Sequence, residues 1–66
     1  MDKIEEIVHR AVRYTEDILS RAPQHYRIAR EGLERMCDTL AVCDAGDPAL
    51  QRLRDYIHEL ERRVAN

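Results

Sequence analysis

Two short clusters of helix-breaking residues, Ser20-Arg21-Ala22-Pro23 and Cys43-Asp44-Ala45-Gly46-Asp47-Pro48, decide what this chain can fold into. Proline disfavours helical geometry in the residue before it and suits the first turn of a new helix, so a boundary is expected at Ala22. In the second cluster Gly46 suits the left-handed conformation that ends many helices, Asp47 can cap the next helix, and Pro48 fits its first position. Three uninterrupted segments remain, about 3–21, 23–43 and 48–65. At 1.5 Å of rise per residue each spans about 27–31 Å, the matched lengths that an antiparallel bundle requires.

Hydrophobic spacing assigns all three segments to helix. Leu50, Leu53, Ile57, Leu60 and Val64 recur at intervals of three and four, as do Tyr26, Ala29, Leu33, Met36, Leu40 and Cys43. No stretch alternates with period two, so no strand is expected. The first segment carries two adjacent seams, Ile4, Ile7, Ala11, Tyr14 and Ile18 beside Val8, Val12, Thr15 and Leu19. On a helical wheel these seams cover about 160°, whereas the third segment presents about 80°, or about 120° with Ala49 and Tyr56. The wider stripe predicts that the first helix is central, with the seam Val8, Val12, Thr15 and Leu19 receiving the third helix, a second protomer or another protein. Ile28 and Val42 fall on the outward side of the middle helix, with Arg35 between them, and offer another candidate interface.

Size sharpens the expectation of a partner. The chain has 66 residues, three Tyr, no Phe and no Trp, which leaves little bulky side-chain volume for a core. Ordering costs about 1.5 kcal/mol per residue, burial returns roughly 25 cal/mol per Å² of apolar surface, and for chains below about 70 residues the two nearly cancel. The expected fold is therefore all-α: a single helical domain over residues 1–66, a small antiparallel three-helix bundle assembled as a homodimer. The alternative is a dimeric helical hairpin in which Pro23 only kinks one long helix and the third segment folds back on it.

Few of the side chains that carry chemistry are placed to use it. Glu6-Ile7-Val8-His9 matches the Glu-x-x-His element of di-metal helical bundles, but Glu6 and His9 lie on the polar side of the wheel. Cys37 and Cys43, six residues apart, sit about 120° from each other on a helix, which forbids an intrahelical disulfide. Together with His9, His25 or His58 they form no close-spaced ligand pair for zinc, so buried free thiols are expected. Ser20 is the one serine, and no glycine-rich loop is present to hold phosphate or an oxyanion. No enzymatic activity, cofactor or metal is expected.

Charge is nearly balanced, 13 acidic against 11 basic residues, and much of it forms acid-before-base pairs four residues apart: Glu6 with Arg10, Asp17 with Arg21, Glu31 with Arg35, Glu59 with Arg63. Such pairs support helices without indicating function. The sequence contains no apolar run that could span a membrane, and its start, Met1-Asp2-Lys3-Ile4-Glu5-Glu6, carries no targeting pattern, so a cytoplasmic protein is expected. Two binding readings remain. One is a regulator, inhibitor, adaptor or co-chaperone that docks on another protein through rim residues Tyr26, Arg27, Arg30, Arg54 and Tyr56. The alternative is an RNA- or DNA-binding dimer using a basic end formed by Arg10, Arg13, Arg21, Arg27 and Arg30.

Overall fold

In a computed structural model, which describes the backbone of residues 3–65 and the side-chain surroundings of residues 3–63, the chain forms α1 (Lys3–Arg21), a 3-10 turn (Pro23–His25), α2 (Tyr26–Asp44) and α3 (Pro48–Ala65). Among the described residues there is no strand. Val64, placed on the α3 seam by its spacing, lies outside the residues whose side chains are described.

The first boundary falls where proline chemistry puts it. Ala22 leaves helical geometry at φ −141°, ψ 73°, the extended backbone that a following proline favours. Its N–H still donates to the Ile18 carbonyl at 2.8 Å, and its own carbonyl accepts from His25 N–H at 3.0 Å, so the polypeptide turns without orphaning its polar groups. α1 and α2 are thus separate helices, not one kinked helix.

The second boundary is built differently from the sequence expectation. No glycine adopts a positive φ, and Ala45 at the end of α2 remains right-handed at φ −63°, ψ −20°. The Asp44 side chain makes a left-handed residue unnecessary: its Oδ1 accepts from Gly46 N–H at 3.2 Å, while its carbonyl accepts from Asp47 N–H at 3.3 Å. This is an Asx-type turn followed directly by a cap. Asp47 Oδ1 accepts from Ala49 N–H at 2.8 Å, satisfying one of the free donors at the start of α3, with Pro48 in the first helical position as its missing N–H allows.

The helix at the centre is α3, and the expectation that α1 is central is corrected. Leu50, Leu53 and Leu60 are the largest fully buried side chains, and with Ala49, Ile57, Val8, Leu33, Cys37 and Leu40 they form one core cluster. α3 packs on both other helices, which touch each other less. Its narrow stripe suffices because Leu50 and Ile57 lie toward one flank and Ala49 and Tyr56 toward the other, while Leu53 and Leu60 fill the groove between. Across these interfaces Arg52 pairs with Glu5 at 3.2 Å and Arg63 with Glu16 at 2.8 Å, linking α3 to α1. On the other flank Arg30 of α2 contacts Glu61 of α3 at 3.4 Å and Glu34 of its own helix at 2.7 Å.

Candidate interaction surface

The seam Val8, Val12, Thr15 and Leu19 is occupied from within the chain. Val8 and Thr15 are buried, Val12 and Leu19 half-buried, and Val8, Val12 and Leu19 belong to or pack on the core that α3 dominates. Thr15 satisfies its hydroxyl by donating to the Ala11 carbonyl at 2.8 Å. Of the three occupants that the spacing left open for this seam, the third helix fills it within the protomer, and Ala49 is small enough to let α3 approach the valines. What remains open there is a groove of about 490 Å³ lined by Val8, Val12, Ala49 and Tyr56, with Glu5, His9 and Arg52 on its rim.

Two of the proposed rim anchors are likewise committed inside the protomer. Arg30 holds Glu34 and Glu61. Tyr56 is half-buried against α1, its hydroxyl sealed from solvent beside the Glu16 carboxylate but without a well-formed hydrogen bond. Burial pushes the Tyr56 phenol up to about 12, and the nearby Glu16 carboxylate opposes its ionisation further. The Arg63 guanidinium carbon stands 6.0 Å from the Tyr56 ring centroid, at the outer limit for a cation–π contact. Tyr26 is half-buried beside the core, while Arg27 and Arg54 are exposed.

The basic patch is largely neutralised. Arg10 pairs with Glu6 at 2.7 Å and Arg21 with Asp17 at 3.2 Å, as their spacing predicts. With Arg30 also engaged, Arg13 and Arg27 are the patch members left without an ion pair among the described residues. Of the thiols, Cys37 is buried as expected, but Cys43 is exposed at the last turn of α2; the buried face of α2 runs through Leu33, Cys37 and Leu40, one step round from the seam that ends in Cys43. His9 is exposed and Glu6 half-buried against Arg10. Among the described residues no helix is long and apolar enough to cross a membrane.

Unpartnered apolar surface lies elsewhere. The large exposed hydrophobic side chains among the described residues are Ile7 (38%), Tyr14 (69%), Ile28 (68%) and Val42 (88%), all on α1 and α2. The outward side of α3 carries instead Gln51, Asp55, His58, Glu59 and Arg62, all exposed. Glu5 and Glu16 turn one flank of α1 toward α3, and Arg30 does the same for α2. Ile7 and Tyr14 on α1, and Ile28 on α2, therefore border the face of the α1–α2 pair that points away from α3. Periodicity could mark Ile28 and Val42 as outward, but it grouped Ile7 and Tyr14 with buried residues. Comparison with protein-family models, curated proteins and solved structures returned no match.

Proposed function

We propose that the chain is a non-enzymatic protein-interaction module, a small regulator, inhibitor, adaptor or co-chaperone, acting in the cytoplasm through contact with other protein chains, copies of itself included. One observation carries the reading: large apolar side chains are exposed on α1 and α2 while α3 turns a polar side outward. A stable small protein gains nothing intramolecularly from a solvated isoleucine and tyrosine on one side, and surfaces of this kind serve contact with other proteins. Tyrosine and arginine beside an apolar patch are the residue types that contribute most to such contacts. A cytoplasmic setting suits two thiols that are unpaired and differ in exposure, Cys37 inside and Cys43 outside.

The helices run up, down and up in this reading. In support, the pairs Glu5 with Arg52 and Glu16 with Arg63 advance together along α1 and α3, as in parallel neighbours. Along α2, Arg30 meets Glu61 while Glu34, Cys37 and Asp38 border the same cleft as Arg54 and Ile57, so one sequence rises as the other falls.

Affinity capture from a cell lysate with the full chain and with Ile28→Asp tests the function. A protein held by the full chain at moderate and high salt, and lost from the variant, is the expected result. Recovery of RNA instead, weakening steeply as salt rises, would overturn it in favour of phosphate binding.

A further inference from the structure

We infer that α1 is a releasable cover: it lifts from the bundle as a unit while α2 and α3 stay paired, baring the flank of α3 that carries Ala49 and Tyr56. The device belongs to the chain alone and operates with or without a binding partner.

The core is unequally shared. Among the described residues α2 gives it Leu33, Cys37 and Leu40, and α3 gives it Ala49, Leu50, Leu53, Ile57 and Leu60, whereas Val8 is the single member from α1. Ile4, Ala11, Val12 and Leu19 rest against that core half-buried, while Ile7 and Tyr14 are exposed. Burial of apolar surface is what holds one helix on another, so α1 has the weakest hold of the three. Thr15, the other buried side chain of α1, adds no polar tie. Its hydroxyl donates to the Ala11 carbonyl of its own helix, a bond that leaves with α1.

The seam between α1 and α3 is also open along one side. The groove of about 490 Å³ lies there, lined by Val8, Val12, Ala49 and Tyr56, so these side chains meet across it only in part and forgo the contacts of a closed seam. The polar contacts that cross from α1 to α3 are ionic, Glu5 with Arg52 and Glu16 with Arg63, and all four side chains are substantially exposed. Ion pairs in that setting contribute little.

The two connections differ in the same sense. Between α1 and the 3-10 turn only Ala22 lies outside a helix, and the backbone hydrogen bonds at that corner stay within residues 18–25. Rotation about Ala22 therefore moves α1 without disturbing α2. Between α2 and α3 the turn is bound by the Asp44 side chain and carbonyl and by the Asp47 cap, which hold that corner in place. Once lifted, α1 is a poor helix: Ile4, Ile7, Val8, Val12, Thr15 and Ile18 are β-branched, and a helix without packing has little to sustain it. Its amides then exchange with solvent while those of α2 and α3 remain protected.

Native-state hydrogen exchange of the full chain, read residue by residue by nuclear magnetic resonance, is the test. In the parent, mid-helix amides of α1 should exchange at least about tenfold faster than those of α2 and α3. Two variants then separate release from general weakness. Ile57 borders the α2–α3 cleft with Cys37 and Arg54, a contact kept in both the closed and the open form. Ile57→Val should speed the α2 and α3 amides about two- to tenfold and leave the α1 rates unchanged. Val8 makes its contact only in the closed form, so Val8→Ala should speed exchange in all three helices by one common factor. Equal protection of the three helices in the parent would overturn the inference. So would Ile57→Val speeding α1 together with the rest, since the bundle would then open only as a whole. Should Val8→Ala fail to fold, the parent and Ile57→Val decide the matter without it.

Discussion

Arg63 near the end of α3 donates a 2.8 Å hydrogen bond from Nη1 to Oε2 of Glu16 on α1, across 47 positions of sequence. The contact ties the last turn of α3 to the fourth turn of α1. It also places a carboxylate and a guanidinium beside the half-buried Tyr56. The guanidinium bond holds the Glu16 carboxyl below the ordinary glutamate range, against the smaller opposing effect of its burial.

Glu16 should therefore make the fold acid-sensitive. Its folded pKa is depressed relative to the unfolded chain, so its contribution is present above the ordinary glutamate range and is lost as pH falls through the lower folded value. Both partners are substantially exposed, and Glu16→Gln should cost no more than about 1 kcal/mol at neutral pH and moderate salt. Urea midpoints across an acid series check this: the gap between parent and variant should close as the carboxylate protonates, and a gap that widens would contradict it.

Tyr56 acts at the other end of the pH scale. Its phenol titrates at about 12 in the fold against 10.0 for the free group, so stability present below pH 10 should be lost as pH rises toward 12. Absorbance titration of tyrosinate should show a phase near 12 that coincides with loss of helicity and is absent from Tyr56→Phe. Because the buried hydroxyl has no well-formed hydrogen bond, only the Glu16 carboxylate nearby, Tyr56→Phe should change neutral-pH stability by no more than about 1 kcal/mol. A clear loss would show that the hydroxyl is satisfied.

Helix boundaries were legible in the sequence because proline and aspartate act locally. Pro23 excludes helix at Ala22, and Asp47 with Pro48 starts α3, whatever else the chain does. Which helix lies at the centre was not legible. The width of an apolar stripe counts residues able to be buried, and on α1 it included Ile7 and Tyr14, which the fold leaves exposed. The narrower stripe of α3 is almost wholly buried, since a row of leucines seated between two helices touches both. The turn at Gly46 was misread for a related reason: glycine permits a left-handed residue, but the Asp44 carboxylate supplied another closure. The exposed apolar surface was half visible, in Ile28 and Val42; that Ile7 and Tyr14 also stay exposed emerged only from the fold.

The Asp47 cap bears on how α3 starts, and so on the whole core. Asp47 is buried, and its carboxylate accepts from Ala49 N–H at 2.8 Å. Asp47→Ala should cost about 1–2 kcal/mol, a large share of the stability of a chain this small. Asp47→Asn should retain most of it, because the amide oxygen accepts the same bond. Thermal melts of the two variants should rank alanine well below asparagine, and equal melts would show that the cap contributes little.

Val8 separates an internal seam from an external one. Were Val8, Val12, Thr15 and Leu19 a dimer surface, Val8→Asp would yield a folded monomer. In the fold Val8 is buried within the core cluster, so an aspartate there must lose most of its hydration while Arg52 on the groove rim is already paired with Glu5, a cost of about 3–5 kcal/mol. That is comparable with all the stability a chain of this length is expected to hold. Far-ultraviolet circular dichroism of Val8→Asp should show loss of cooperative helical structure at neutral pH, while Ile28→Asp, on the outward face, keeps it. A Val8→Asp protein as helical and as heat-resistant as its parent would return the seam to the surface.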